Sequence, residues 1–386
     1  MDFELSDEQR AIVDTVRSFV ERELMPHEDE VEALDEVTPD LASAIRAKAL
    51  QAGLYAANMP EEVGGAGLDA VSLALVEREL GKTSFALHHF VARPSRILMG
   101  CTGDQVERYL LPTVRGERVE CLAMSEPGAG SDLRAMKTSA VERGGDFIIN
   151  GTKHFISHAD RADYVILFAT TGVEAGPKGP RSRLTAFLVD KGLAGFTVRE
   201  GYRNVSHRGY NNGILDFQDC RVPRAAVLGE VHQGFEVANS WLGATRLQVA
   251  ATCLGRAERA LELAKRWAVD RVQFGQAIGK FQGVSFKLAD MAMELRAAEL
   301  LTLEAAWKRD QHTDSDIDMA LAKLKATEML AMVADEALQI HGGMGLMADL
   351  PLERIWRDAR IERIWEGTSE VQRHIISRAL LRPLGG

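Results

Sequence analysis

The sequence predicts an α+β protein: a helical amino-terminal domain, a central β-barrel-like domain and a carboxy-terminal four-helix bundle follow one another along the chain. Three observations predict this order. Helical periodicity fills the first third. Short β-branched and aromatic runs separated by turns occupy the middle, and long helical segments follow. The predicted domain boundaries are 1–119, 120–230 and 231–386.

The first domain is predicted from helix signals. In LSDEQRAIVDTVRSFVERELMPHED the apolar residues share one helical face, Ser6 with Gln9 has the spacing of a capping box, and Pro26 lies near the predicted stop. A second helix is predicted in LASAIRAKALQAGLY and is closed by Gly53. The glycine-rich stretch MPEEVGGAGLD (59–69) predicts a turn, and AVSLALVERELGK predicts a further helix.

The middle and last domains differ in their periodicity. DFIINGT, YVILFATT, LTAFLVD, GFTVREGY and GILDFQDCRVP predict strands of a compact sheet or barrel, with TTGVEAGPKGPRSR as a hairpin or loop. Helices are predicted near 234–272, 283–311 and 316–341. A last helix is predicted to bury one apolar face, formed by Val371, Ile375, Ile376, Ala379 and Leu380.

Composition excludes several classes of function. The formal net charge of −10 argues against general attraction to nucleic acid or to an anionic membrane. The four cysteines are far apart and have no histidine at ligand spacing, so neither a disulfide framework nor a metal site is predicted. The acidic start MDFELSDEQR does not resemble a secretory signal, and no apolar run reaches membrane-spanning length. We therefore expect a cytoplasmic protein.

Three glycine-containing motifs could bind a ligand. AMSEPGAGSD (123–132) would let backbone N–H groups approach an anion or a flat ring, but it also fits a plain Pro-Gly turn. RVQFGQAIGKFQ (271–282) combines an arginine suited to phosphate with an aromatic ring, or is a simple helix connection. QIHGGMG (339–345) could expose backbone donors, or be a helix C-cap.

Glu366 in WEGTSE is a candidate general base. An acid at a helix start is also favoured by the helix dipole, so spacing alone does not indicate catalysis. Two neighbours favour it: Trp365 offers an apolar surface that would raise the carboxyl pKa, and Gly367 leaves room for a substrate.

Together these motifs resemble those of the acyl-CoA dehydrogenase family. The resemblance covers essentially the whole chain and keeps the order PEEVGGAGLD, SEPGAGSD, NGTKHFIS, FQDCRVP, VLGEVHQGF, RVQFGQAIGKFQ, QIHGGMG and WEGTSEVQR. It implies FAD as the cofactor. By the resemblance, residues along one segment and one strand end contact the flavin: Leu122, Met124, Ser125, Gly130, Ser131, Phe155 and Ser157.

The resemblance also implies a dimer or tetramer in which a neighbouring subunit completes each FAD site. Six residues would hold the pyrophosphate and adenosine of the partner's FAD: Arg271, Phe274, Gln282, Gln339, Gly342 and Gly343. Thr368 and Glu370 would lie near the cofactor at the start of the last helix, whose N-terminal donors suit a phosphate.

For catalysis, the resemblance implies that Glu366 removes the α-proton of an acyl-CoA thioester while a hydride passes to flavin N5. The product would be a trans-2-enoyl-CoA, as in fatty-acid β-oxidation, and the electrons would pass to electron-transfer flavoprotein. The Glu366 N–H and a flavin ribityl hydroxyl would hydrogen-bond the thioester oxygen. Ser131, Thr245, Arg246 and Gly367 would line the substrate site; Thr245 stands where some subfamilies carry their base.

Some features depart from the family pattern or stay open. Phe155 stands where many relatives carry tryptophan. His88, His89 and Arg93 could touch a polar acyl tail or face solvent, and the segment 203–213 has no assignment. Acyl length and branching are open. The alternatives are an enzyme of the same fold that uses O₂ (an oxidase, nitroalkane-type enzyme or monooxygenase) and a noncatalytic flavoprotein.

Overall fold

The computed structural model describes residues 4–91, 94–176 and 179–384, and it confirms the predicted fold class. Helices form the amino-terminal part, a curled sheet the middle and a helical bundle the carboxy-terminal part. The first strand begins at Glu120 and the bundle's first helix begins at Gly234. The domain boundaries themselves stay a prediction.

Among the described residues, the amino-terminal part contains six α-helices. α1 is capped by the predicted box, in which the Ser6 hydroxyl accepts from the Gln9 N–H at 3.1 Å and the Gln9 side chain accepts from the Ser6 N–H at 3.1 Å. Past Phe19 the chain continues through irregular helical turns around Pro26. The helices are α1 (Asp7–Phe19), α2 (Glu28–Leu34), α3 (Pro39–Gln51), α4 (Ala70–Leu80), α5 (Phe85–His88) and α6 (Leu111–Val114).

The sheet has eight strands, and the central path runs in the order β6-β7-β3-β2-β4-β5-β8, with β1 paired parallel to β4. The stretch TTGVEAGPKGPRSR forms the outer half of the β4–β5 hairpin, with 177–178 outside the described residues. The strands are β1 (Glu120–Ala123), β2 (Ser139–Arg143), β3 (Asp146–Ser157), β4 (Tyr164–Gly176), β5 (Gly179–Asp190), β6 (Phe196–Glu200), β7 (Asn212–Pro223) and β8 (Val227–Leu228).

The carboxy-terminal part packs long helices closely because their shared faces are rich in alanine. α7 (Gly234–Asp270), α8 (Gln282–Asp310) and α9 (Asp316–His341) match the predicted segments. A small hairpin of β9 (Val272–Gln273) and β10 (Gln276–Ala277) joins α7 to α8. Two shorter helices follow: α10 (Leu352–Glu362) and α11 (Ser369–Leu381).

The predicted burial of α11 is wrong at its far end. Ala379 and Leu380 are exposed, whereas the residues of α11 that are buried are the polar Ser369 and Gln372. Gln372 is buried because its side chain donates to the Gly367 carbonyl in the loop between α10 and α11. Ser369 is buried beside this loop without a hydrogen-bond partner for its hydroxyl among the described residues.

Among the described residues, the buried apolar side chains form three clusters. One joins the amino-terminal helices to one side of the sheet, a second fills the other side of the sheet, and a third fills the bundle. Within the described ranges, none of the helices combines the length and hydropathy that crossing a bilayer requires.

Candidate active site

Glu366 lies in the loop between α10 and α11. Its φ of 52° is in the left-handed region, and Gly367 follows with φ 90°. Glu366 is partly buried. Burial raises the pKa of Glu366 to about 7, although the positive charges of Lys323 and Arg246 oppose the shift. A carboxyl group that titrates near neutral pH suits a general base.

Gly367 is required by the backbone conformation of the Glu366 loop. Its predicted purpose is to leave room for a substrate, but a Cβ at this position would lie 2.6 Å from Nε2 of Gln372. Its φ of 90° is also one that side chains rarely adopt. Both observations tie the glycine to the turn that carries Glu366.

Glu362, one turn before the loop, behaves in the opposite way. Burial opposes its ionisation, but hydrogen bonds and charge from His207, Arg256 and Trp365 lower the pKa of Glu362 to about 2. Arg256 lies 2.6 Å from one carboxylate oxygen, and Nε1 of Trp365 donates to the other at 2.7 Å. The sequence predicts Trp365 to be an apolar neighbour of Glu366. In the structure the Trp365 indole N–H donates a hydrogen bond to the Glu362 carboxylate.

Two residues hold the backbone of the Glu366 loop, and the sequence analysis missed both. The Lys323 ammonium, fully buried on α9, donates to the carbonyls of Trp365 (3.0 Å) and Gly367 (2.8 Å). Gln372 donates to the Gly367 carbonyl at 2.9 Å. A lysine inside the apolar run ALAKLKA was the available signal, since a buried lysine needs a partner.

Arg246 and Thr245 lie on α7 near Glu366. Arg246 is 8% exposed, its Nε has no partner among the described residues, and its Nη1 lies 3.7 Å from Asp316. Burial lowers its pKa, while the charges of Asp316 and Glu366 oppose the shift. The Thr245 hydroxyl donates to the Trp241 carbonyl at 3.0 Å, within its own helix. Arg246 is therefore the residue of this pair with donor capacity to spare.

The segment 203–213 acquires a role that the sequence did not give it. Its His207 contacts Glu362 at 3.1 Å, and the His207 N–H donates to Asp358 at 2.6 Å. Its Tyr210 hydrogen-bonds with Ser157, and the charge of Glu366 acts on the phenol. The segment thus links the sheet to the Glu366 loop.

The histidines of HHF face protein. His88 lies 3.0 Å from the carboxylate of Glu77, and the His89 ring stacks on His158 with 3.7 Å between centroids. Burial lowers the pKa of His89 to about 3, so this ring is neutral. Solvent exposure, the simpler expectation, is wrong for His88, which is 4% exposed. Arg93 lies outside the described residues.

The predicted flavin residues gather at one edge of the sheet. The His154 N–H donates to the Ser125 carbonyl at 3.0 Å, which joins the glycine-rich segment to the end of β3. There the β3–β7 register shifts, and Phe155 has φ 56° and is 57% exposed. Leu122 and Ser157 are partly buried, Gly130 and Ser131 are exposed, and the Met124 side chain lies in the core. An exposed aromatic ring beside hydroxyl and backbone groups fits a flat heteroaromatic such as a flavin.

Six further residues that are predicted to bind the cofactor lie at the far end of the helical bundle. The Trp267 ring stacks on His341 at 4.9 Å, and this contact brings the α7–α8 connection beside the end of α9. All six residues there are exposed: Arg271, Phe274, Gln282, Gln339, Gly342 and Gly343. An exposed arginine beside exposed backbone at two glycines suits a phosphate-bearing ligand.

Thr368 and Glu370 begin α11. The Thr368 hydroxyl caps the helix by accepting from the Val371 N–H at 3.2 Å, and Glu370 is exposed. Ser369 is buried, and its hydroxyl has no partner among the described residues. The two neighbouring hydroxyls therefore differ: Thr368 caps the helix, and Ser369 is a buried donor without a partner in the described part of the chain.

A helical–β–helical fold with a carboxylate of raised pKa and an exposed aromatic ring at the end of β3 suits an oxidoreductase that holds a flat redox cofactor. The domain models of acyl-CoA dehydrogenase match the chain in order: the N-terminal domain at residues 6–117, the middle domain at 121–220 and the C-terminal domain at 232–381. The chain belongs to the acyl-CoA dehydrogenase family, and its cofactor is FAD.

Relatives match over nearly their full lengths. A 3-(aryl)acrylate reductase of Clostridium sporogenes is 36% identical, covering 98% of this chain and 99% of its own. The human mitochondrial short-chain specific acyl-CoA dehydrogenase is 36% identical over 98% of this chain and 91% of its own. The solved butyryl-CoA dehydrogenase of Megasphaera elsdenii superposes with a TM-score of 0.90 at 34% identity, covering 99% and 100% of the two chains.

Proposed function

We propose that this protein catalyses the FAD-dependent α,β-dehydrogenation of an acyl-CoA thioester to a trans-2-enoyl-CoA, with Glu366 as the base. The observation that carries the proposal is the pKa of Glu366, raised to about 7 by burial in a loop that two donors hold in place. At neutral pH such a group is both available as a carboxylate and basic enough to accept a carbon-bound proton.

The chain's residues supply the acid–base part of the reaction. The Glu366 carboxylate takes the α-proton, and bound FAD supplies the acceptor for the hydride from the β-carbon. The Glu366 N–H donates to no acceptor in the described part of the chain, so it is free to hydrogen-bond the thioester oxygen. The Arg246 side chain, with an unpaired Nε, adds positive charge near the carboxylate.

The oligomer is part of the proposal. On α8, Phe286, Met293, Leu300 and Trp307 repeat every seven residues, and each is between 38% and 62% exposed. An apolar stripe of this spacing is typical of helix packing between subunits. We expect a homotetramer in which Arg271 and Phe274 reach the FAD of a neighbouring subunit. We place it in the cytoplasm, in fatty-acid β-oxidation, with electron-transfer flavoprotein as its electron acceptor.

The test is anaerobic reduction of the flavin by a panel of acyl-CoAs. The loss of the flavin's visible absorbance measures the reduction. Wild type should bleach with its preferred chain, and Glu366→Gln should bleach about 10²–10⁴ times more slowly, since it removes the general base. A glutamine variant that bleaches at the wild-type rate would contradict the proposal.

The same experiment separates the alternatives. Rapid reoxidation of the reduced flavin by O₂ would favour an oxidase or monooxygenase, whereas slow reoxidation by O₂ and fast reoxidation by electron-transfer flavoprotein support the dehydrogenase. Because one relative is a reductase, enoyl-CoA should also be offered to the photoreduced enzyme. Wild type that no acyl-CoA bleaches would exclude dehydrogenation.

A further inference from the structure

The buried ammonium of Lys323 has no catalytic assignment so far. It is fully buried on α9, and in the described part of the chain its hydrogen bonds go to the two carbonyls of the Glu366 loop and to no carboxylate. The charges of Glu362 and Glu366 act on Lys323 only from a distance, and a buried ammonium without a direct ion pair normally costs stability. Its position is therefore explained best by what it does to those carbonyls.

The geometry of the peptide unit supplies the link. In a trans peptide the C=O of one residue and the N–H of the next point in opposite directions. Because the Trp365 carbonyl points at Lys323 at 3.0 Å, the Glu366 N–H of the same peptide points away from it. That N–H has no acceptor among the described residues.

The bond also changes the strength of the donor. A carbonyl that accepts a hydrogen bond from an ammonium group is polarised, and its peptide N–H becomes a stronger donor. The second bond, to Gly367 at 2.8 Å, fixes the other side of the loop, where Glu366 and Gly367 both have positive φ. Lys323 thus holds an energetically unfavourable backbone conformation from both sides.

We infer that Lys323 is a positioning residue for the proton-transfer step: its ammonium orients and polarises the Trp365–Glu366 peptide so that the Glu366 N–H stabilises the enolate that forms on the substrate thioester. This inference rests on the proposed function, because it takes the thioester oxygen as the acceptor. It adds a residue that acts through the backbone and touches neither substrate nor cofactor.

The test compares Lys323→Met with Lys325→Met in the FAD-loaded oligomer. Lys325 is on the same helix but pairs with Glu294 at the partly exposed surface, so its variant controls for loss of a lysine charge. A bound 3-oxoacyl-CoA reports the relevant property, since its enolate absorbs light and its enolisation pKa can be titrated. We expect Lys323→Met to raise that pKa by about one unit, a tenfold weaker stabilisation, and Lys325→Met to leave it unchanged.

The kinetic prediction is a fall of about 10–100-fold in the rate of flavin reduction at saturating acyl-CoA, with KM changed less than threefold. A merely structural role would lower the thermal midpoint or the FAD content but leave the enolisation pKa of the remaining holoenzyme unchanged, and that result overturns the inference. Should the methionine variant not fold, Lys323→Gln, which keeps a neutral donor, decides by the same titration: an unchanged pKa counts against Lys323.

Failure of the inference differs from failure of the proposed function. If wild type bleaches with acyl-CoA, Glu366→Gln does not, and Lys323→Met behaves as wild type in both rate and enolisation, the base assignment stands and the role of Lys323 is wrong. If wild type itself does not bleach, the dehydrogenase proposal fails.

Discussion

Two glutamates four positions apart show how strongly surroundings decide what a residue does. Burial raises the pKa of Glu366 to about 7, while the pKa of Glu362 is about 2 because Arg256, His207 and Trp365 bind its charged form. The residue type is the same in both cases. The difference is that Glu362 has direct hydrogen-bond donors, whereas the cations that influence Glu366 act from a distance.

The raised pKa of Glu366 predicts a pH profile. Since the base must be a carboxylate, the rate of flavin reduction at low acyl-CoA concentration should rise about tenfold per pH unit below about 7 and level off above it. Anaerobic stopped-flow measurements from about pH 5.5 to 9 check this.

The surface variant Glu262→Gln should keep the full profile, whereas Glu366→Gln should lose the rise. A rate that stays flat down to about pH 5.5, as the ordinary glutamate pKa of 4.5 would give, would show that the Glu366 carboxyl is solvated in the enzyme and would contradict the structure.

At the scale of elements, several parts of the chain hold the loop between α10 and α11 in place. Arg256 from α7, His207 from the segment before β7 and Trp365 all bind Glu362 at the end of α10. Lys323 from α9 and Gln372 from α11 bind the loop carbonyls. The position of Glu366 is therefore set by four separate parts of the chain.

Glu362→Gln should destabilise the protein by about 3–5 kcal/mol at pH 7, because the buried Arg256 loses its direct ion pair and keeps only the more distant charge of Asp358. The wild-type carboxylate has a lowered pKa, so its stabilisation is fully present above about pH 4.5 and is lost as pH falls through about 2. The difference in unfolding free energy between wild type and variant should therefore shrink as the pH is lowered.

Denaturant unfolding at pH 7 and pH 4 measures the destabilisation by Glu362→Gln and its decrease at lower pH. Glu262→Gln, which breaks exposed pairs with Lys265 and Arg266, is the matched control and should cost about 1 kcal/mol or less. Equal effects of the two substitutions would mean that the buried network contributes no more than a surface pair.

At the scale of the whole molecule, the predicted cofactor residues form two separate groups. One lies at the sheet edge near Ser125 and Phe155, and the other at the α7–α8 connection, where Phe274 is 94% exposed with φ 50°. An aromatic side chain held in this way on a surface hairpin is suited to a contact outside its own subunit.

Arg271→Ala should lower the amount of FAD retained per subunit without unfolding the protein, because a bound phosphate loses its ion pair. The flavin-to-protein absorbance ratio after gel filtration measures retention. Arg266→Ala, near the end of α7 just before Arg271 and with a side chain that is 72% exposed, is the control and should retain FAD as wild type does.

Co-expression of Arg271→Ala with Glu366→Gln tests whether two subunits build one site. In a mixed oligomer, a site can combine the intact Glu366 of one subunit with the intact Arg271 of the other, so activity should exceed that of either variant alone. If mixed oligomers form but activity does not rise, each site takes both residues from a single subunit, and the two-subunit site is wrong.

The sequence by itself determined the order and extent of the long helices, and it led to the proposal of Glu366 as the base. The limits of α7, α8 and α9 agree with the prediction because apolar periodicity and caps act over a few residues. The resemblance assigned Glu366 on a contiguous motif, WEGTSE. Local signals of this kind are present in the linear sequence.

Only the tertiary structure decided what surrounds that base. The unequal pKa values of Glu362 and Glu366, the buried Lys323 and the role of His207 depend on contacts between residues far apart in sequence. The polar burial in α11 has the same origin, since Gln372 is buried to satisfy a carbonyl of the loop. Periodicity does not report such contacts, because desolvation and hydrogen-bond pairing depend on where the distant segments meet.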